Sequence, residues 1–221
     1  EEAYAAIGIP VISNNSAHRW TADIPMIIPE INAEHIKAIN VQMKNRGWKR
    51  GFIVTKPNCS IQSYMIPIHA LREKGYMPQR MIVSTEQALS GAGFPGVASL
   101  AITDNVIPYI SGEDEKTERE PLKIFGIIQN DRIENYPGLK ISATCTRVPV
   151  RDGHTAIVNI EFGEKKPDLE EIIKIWKEFT AIPQELGLPS APARPIIYRD
   201  EPDRPQPIKD RDAEKGMAVT V

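Results

Sequence analysis

Apolar positions along this chain fall into short blocks that switch between strand and helix spacing. Residues 8–13 form a brief apolar run closed by the turn formers Asn14-Asn15-Ser16, which predicts a strand and a turn. Residues 33–46 predict a helix. Asn32 stands as its N-cap, Glu34 lies early, Lys44 and Arg46 lie late, and Gly47 ends it. Residues 51–55 read as a buried strand. Beyond them Ile61, Met65, Ile68 and Leu71 recur at helical spacing up to Gly75, with a kink expected at Pro67. Residues 80–86 predict a strand, 90–96 a glycine-rich loop, and 114–125 an acidic, lysine-containing helix. Pro121 is out of place inside that helix unless the helix begins near Glu120.

The runs 139–150 and 154–162 are rich in β-branched residues, and Arg151-Asp152-Gly153 between them predicts a β-hairpin. Asp168 caps a helix to about residue 179, with Leu169, Ile172, Ile173 and Trp176 on one face. Seven prolines between 183 and 207 argue against helix and predict an extended arm, either a surface linker or a segment packed on the domain or on a second subunit. Residues 217–221 read as a strand. Alternating strands and helices thus give way to paired strands plus helices, which predicts an α/β nucleotide-type domain leading into an α+β domain.

Bulk properties narrow the function without naming it. The 221 residues suffice for one large or two modest domains, and 41% hydrophobic with 25% charged content is ordinary for a globular protein. A net charge of -2 gives no reason to expect nucleic acid or an anionic membrane as partner, and no apolar run approaches a membrane span. Two cysteines without framework spacing argue against a disulfide scaffold and for a reducing compartment, the cytoplasm. The chain opens on Glu1-Glu2-Ala3 without a methionine and closes in an apparent strand, as expected for the middle of a longer polypeptide.

Candidate chemistry starts at Cys59. A strand ends at Lys56-Pro57-Asn58 and the cysteine opens a helical pattern, where unpaired N–H groups and the helix dipole stabilise an anion and suit a reactive thiolate. The plain alternative is a small buried hydrophobe. His154 opens a strand after a tight turn and could serve as general acid or base, or be a structural histidine. Arg147 offers a fork suited to carboxylate or phosphate, or is a surface charge. Gln87, at a strand end, could orient a carbonyl or cap the strand. Ser90-Gly91-Ala92-Gly93 could bring backbone close to a phosphate or nicotinamide. Glu120 and Lys123, one helical turn apart, could face a zwitterionic ligand or form a solvated pair. Cys145, mid-strand, reads as core. No spacing of Cys, His, Asp and Glu suggests a metal site.

The segments Ile12-Ser13-Asn14-Asn15-Ser16-Ala17-His18-Arg19, Pro29-Glu30-Ile31-Asn32, Pro57-Asn58-Cys59-Ser60, Glu86 to Gly93, Glu120-x-x-Lys123 and Arg147 to His154 together resemble the aspartate-β-semialdehyde dehydrogenases of archaea and fungi. The resemblance covers nearly the whole chain. It implies a Rossmann-like NADP-binding remnant at 1–58, a catalytic and dimerisation domain with a mixed or antiparallel sheet at 59–210, and the start of a strand returning to the NADP domain at 211–221. The family's glycine-rich loop and last helix fall outside the chain.

The implied reaction is the NADPH-dependent reduction of L-4-aspartyl phosphate to aspartate semialdehyde, with release of phosphate, by a cytoplasmic homodimer or homotetramer. By the same resemblance Cys59 is the nucleophile that forms an acyl-thioester, His154 its acid/base and Gln87 the residue that orients the thioester. Arg147 and Glu120 would hold the substrate carboxylate and amine, Lys123 and Arg19 the phosphate, and Ser90, Gly91 and Asn58 would lie against the cofactor. Two other readings stay open: a related acyl reductase such as malonyl-CoA reductase, and a non-catalytic fragment that only dimerises or binds acidic metabolites.

Overall fold

A computed structural model describes all 221 residues. In chain order its strands are β1 (Pro10–Ser13), β2 (Phe52–Thr55), β3 (Pro78–Gln87), β4 (Ile127–Gln129), β5 (Arg132–Glu134), β6 (Lys140–Arg147), β7 (Thr155–Phe162), β8 (Ile196–Ile197) and β9 (Val219–Thr220). Glu1–Asn58 with Arg119–Pro137 form one compact unit, and Cys59–Glu118 with Gly138–Val221 form another. The first segment of the first unit ends at Asn58. Two assignments differ from those expected: 119–137 belongs with the first unit, and 211–221 stays in the second, where β9 pairs in parallel with β8.

In the first unit β1 and β2 pair in parallel, Pro10 opposite Phe52 through Ser13 opposite Thr55. Thr55 donates to the Pro25 carbonyl and accepts from Ile27 on the other edge of β2. Two residues back, where the same edge recurs by strand period, a side chain stands in for a strand. Gln42, fully buried, accepts from the Ile53 N–H at 2.7 Å and donates to the Ile53 carbonyl at 2.9 Å. The helix expected at 33–46 comes in pieces: Pro29–Asn32, a 3-10 stretch Ala33–Lys37, and Ala38–Arg46, closed by Gly47 at φ +66°.

Asn32 is not the cap it resembles. Its side chain is buried, accepts from Ile28 N–H and donates to Met26 O and to His35 Nδ1, so it satisfies the chain before the helix. His35 then donates from Nε2 to the Gly126 carbonyl at 3.0 Å, which assigns its tautomer. Burial holds the His35 pKa below its ordinary value.

This network has a pH signature. The unfolded imidazole titrates near 6.5 and the folded one lower, so its stabilisation is complete above about pH 6.5 and is lost as pH falls through the folded pKa. Wild type should lose melting temperature between pH 7 and 5, and His35→Gln should lose less. Equal slopes would contradict the assignment.

The second unit is built on a three-stranded mixed sheet, order β6-β3-β7. β3 runs parallel to β6, with Arg80 opposite Lys140 and Gln87 opposite Arg147, and antiparallel to β7. The expected β6–β7 hairpin is therefore absent, because β3 lies between its two arms. The loop between them crosses the end of β3, where Leu89 and Ser90 donate to the Val150 and Arg151 carbonyls. Met81, Val83, Thr85 and Gln87 on one face of β3 are all buried, which suits a central strand.

The helix Gln62–Glu73 runs through Pro67 as one element, and the helix Leu169–Glu178 packs against it, with Trp176 Nε1 donating to the Pro67 carbonyl. Asp168 caps the latter, accepting from Glu171 N–H at 2.8 Å. Ile61, Met65, Leu71 and Met81 are essentially unexposed, each contributing on the order of 1.5–3 kcal/mol by burial.

The outer margin of β6 is covered by side chains. The helix Glu113–Ile124 contains Pro121 in its interior and does not begin at Glu120. Its Asp114 accepts from the Cys145 N–H at 2.8 Å and its Glu118 from the Ala143 N–H at 3.1 Å. One helical turn matches one strand repeat, so i,i+4 carboxylates meet successive outward N–H groups. Arg147 exchanges both backbone bonds with Ile107. The proline-rich segment is not wholly extended: Pro183 and Pro207 sit in the first turns of short helices Ile182–Glu185 and Pro207–Asp210, where a missing N–H costs nothing.

Candidate active site

Within the second unit, Cys59 and His154 come together although 95 residues separate them. Cys59 occupies the turn before the helix Gln62–Glu73 and is half-buried; the helix does not begin at the cysteine itself. The partner the structure gives its sulfur is the His154 ring, Nε2 to Sγ at 3.0 Å. The other ring nitrogen decides the polarity of that contact. Nδ1 accepts from the Ala88 N–H at 2.9 Å, so a neutral imidazole carries its proton on Nε2, aimed at sulfur. The ring is thus set to donate to sulfur.

Arg147 and Gly91 complete this cluster. Arg147 is buried in β6 and donates from Nη1 to the Ala88 carbonyl at 2.6 Å, so both faces of one short backbone segment are used. Gly91 lies in the 3-10 turn Leu89–Ala92. A Cβ there would stand 2.9 Å from Arg147 Nη1 and 3.0 Å from His154 Cε1. Space, and not backbone conformation, requires glycine at this point. Gly91-Ala92-Gly93-Phe94-Pro95-Gly96 spells G-x-G-x-x-G, but a 3-10 turn and irregular chain follow β3 there, so it lacks the strand-to-helix setting of a dinucleotide fingerprint. Gln87, buried at the end of β3, donates from Nε2 to Glu113 Oε2 at 3.0 Å.

Arg19, Asn58, Glu120 and Lys123 gather in the first unit, where hydrogen bonds already hold them. Glu120 is fully buried; Oε1 accepts from Arg19 Nη1 at 2.9 Å and Oε2 from the Asn58 N–H at 2.6 Å. Lys123 directs its three ammonium protons at the carbonyls of Arg19, Thr21 and Ile24, at 2.7, 2.7 and 2.8 Å. Burial pushes its pKa down to about 8, opposed by the charges of Asp23 and Glu120. A ligand amine or phosphate would have to displace these bonds, so the geometry differs from the open pair expected at 120 and 123.

Sequence reasoning missed Ala88 and Glu113. A main-chain N–H is carried by nearly every residue, so nothing marks the one at Ala88. Glu113 reads as one more charge on an acidic helix. Cys145 is core as expected, buried in β6 with its thiol pushed up by burial.

A half-buried cysteine paired with a histidine ring thus lies at the end of a mixed sheet, in a unit of α+β class. Residues 68–221 match the family model for the semialdehyde dehydrogenase dimerisation domain, and the chain belongs to that family. It is 49% identical over 221 residues to the aspartate-semialdehyde dehydrogenase of Archaeoglobus fulgidus, covering 100% of this chain and 62% of that protein. It is 40% identical over 226 residues to malonyl CoA reductase (NADP) of Metallosphaera sedula, with 100% and 62% covered. The crystal structure of aspartate semialdehyde dehydrogenase with NADP from Candida albicans superposes with a TM-score of 0.86 at 36% identity, covering 96% of this chain and 60% of that one. The chain therefore spans about 60% of the length of these relatives.

Proposed function

We propose that this protein is an aspartate-semialdehyde dehydrogenase, reducing L-4-aspartyl phosphate to aspartate semialdehyde in the biosynthesis of lysine, threonine and methionine. The observation that carries this reading is the 3.0 Å contact between Cys59 Sγ and His154 Nε2. Cys59 thiolate attacks the acyl carbon, the acyl–oxygen bond breaks, and phosphate leaves, giving a thioester on Cys59. NADPH, when bound, supplies the hydride that turns the thioester carbon into a tetrahedral alkoxide. Collapse of that alkoxide releases the aldehyde and regenerates the thiolate. No proton need be delivered to carbon or sulfur in this cycle, so a neutral His154 can serve throughout as a donor from Nε2, first to sulfur and then to the developing oxyanion.

Arg147, already bonded to Ala88, has the rest of its fork for the substrate carboxylate. We assign Ser90, Gly91 and Asn58 to the cofactor; the absence of a side chain at Gly91 leaves its backbone close to Arg147 and His154. We assign Arg19, Glu120 and Lys123 to substrate and phosphate only through displacement of their present bonds. The parallel pair β1–β2 supports reading the first unit as part of a Rossmann-like NADP layer. Two free cysteines support a cytoplasmic setting. Exposed Ile82 and Ile157, on adjoining strands of the mixed sheet, support a homodimer or homotetramer joined through that face.

The test is reduction of NADP by the full-length protein with aspartate semialdehyde and phosphate. Turnover that Cys59→Ala abolishes is the expected result. The 40% identity to a malonyl CoA reductase supports a second reading, and faster turnover of malonyl-CoA would move the assignment there. Alkylation by iodoacetamide at pH 7 should mark Cys59 well before Cys145, read by peptide mass spectrometry. Equal rates, with neither substrate turned over, would leave a non-catalytic protein.

A further inference from the structure

His154 meets Cys59 from the end of a turn, so the turn that carries it has to be held as firmly as the ring. Residues 148–154 join β6 to β7, and three bonds from 88–90 tie that connection down. Leu89 N–H donates to the Val150 carbonyl at 2.8 Å, Ser90 N–H to the Arg151 carbonyl at 3.0 Å, and Ala88 N–H to His154 Nδ1. The next carbonyl, that of Asp152, is held from elsewhere: Arg211 donates to it from Nη1 at 3.3 Å. The following residue, Gly153, has φ +93° and packs on the same side chain. A Cβ there would stand 3.2 Å from Arg211 Cβ, 3.3 Å from Pro207 Cβ and 3.8 Å from Arg211 Cδ, so glycine suits the position in conformation and in space. Arg211 thus meets the two residues just before His154, one through its guanidinium and one through its stem.

Arg211 itself has a firm base. It follows the short helix Pro207–Asp210, and its N–H donates to the Pro207 carbonyl at 3.1 Å. Buried Asp210 fixes that helix by accepting from the Gln206 N–H at 2.7 Å and from Arg204 Nε at 2.8 Å. We infer that Arg211 is a positioning residue for His154, with the segment 204–211 serving as a strut that holds the turn so that the ring meets the Cys59 sulfur. The consequence for turnover rests on the proposed function; the consequence for the thiol does not.

The test removes the donor and keeps the stem. In the full-length protein Arg211→Met should slow iodoacetamide alkylation of Cys59 about fivefold at pH 7, because a displaced imidazole no longer stabilises the thiolate. At pH 10, where an accessible thiol ionises unaided, the rate should match wild type. A single bond needs no fork, so Arg211→Lys should come within about twofold of wild type. In a His154→Asn background Arg211→Met should add no further slowing, since the group it positions is gone. The kcat for aspartate semialdehyde should fall in step with alkylation, with KM changed less than about threefold. An unchanged alkylation rate in Arg211→Met overturns the inference. So does slowing that persists at pH 10 or in the His154→Asn background, either of which marks a general disturbance of the fold. Arg211 is half-buried at the end of its helix, so the substitution should fold; Arg211→Gln carries the same comparisons if it does not. A wild type that shows this alkylation pattern but does not turn over aspartate semialdehyde would strike the functional assignment and leave Arg211 in its role.

Discussion

Gly91→Ala should lower turnover of the full-length protein about 100-fold while leaving its melting temperature within about 2 °C of wild type. The added methyl would stand 2.9 Å from Arg147 Nη1, 3.0 Å from His154 Cε1 and 3.3 Å from His154 Nε2. Something must shift, and the groups in the way are the Arg147 fork and the His154 ring. A swing of the ring opens the Cys59 contact and breaks the bond from Ala88 N–H together. Gly91 is not in the left-handed region, so alanine strains no backbone there and stability should hold. The discriminating measurements are kcat and the rate of Cys59 alkylation, which should fall together. A variant with normal kcat would mean that the crowding around His154 has no part in its action.

Asp210→Asn is expected to have the largest effect on stability, about 2–4 kcal/mol or roughly 5–15 °C in melting temperature. Asp210 is buried, and its carboxylate accepts from Arg204 Nε at 2.8 Å, from Arg204 Nη2 and from the Gln206 N–H at 2.7 Å, with Arg199 Nε 3.5 Å away. The amide cannot compensate those guanidinium groups, and one of its own donors would face one. Arg204 holds the Asp210 pKa below its ordinary value, against the opposing pull of burial. A carboxylate of depressed pKa contributes fully above about pH 4, the unfolded value, and its contribution is lost as pH falls through the folded one. The gap between wild type and Asp210→Asn should accordingly be constant from pH 5 to 8 and narrow below pH 4. A gap that persists at pH 3 would point to packing and not charge.

Apolar and β-branched runs placed the strands now seen at 10–13, 52–55, 78–87 and 155–162 to within about two residues. They could not say which strands are neighbours. The turn residues 151–153 suggested that β6 and β7 pair, whereas their true partner begins more than 60 residues before β6 and fills the space between them. Asn32 misled for a related reason. A cap and a buried organiser use the same side-chain oxygen, and only burial tells them apart.

At the site, the types of Cys59 and His154 were legible singly, and their meeting came only through likeness to a family. What the sequence could not show was polarity. The N–H of Ala88 sets the tautomer of His154, the carboxylate of Glu113 sets the direction of the Gln87 amide, and three carbonyls absorb the cation of Lys123. Each of these partners is either main chain or a charge whose spacing looks like solvent exposure.

The carboxylates of Asp114 and Glu118 on the flank of β6 bear on behaviour at high concentration. An uncovered flank would template the addition of any extended peptide and, copy by copy, a growing ribbon. With that side sealed, this route to open-ended growth is closed. Removing both carboxylates, as in Asp114→Ala with Glu118→Ala, would reopen the flank, so the double variant should form fibrous precipitate at concentrations where wild type does not.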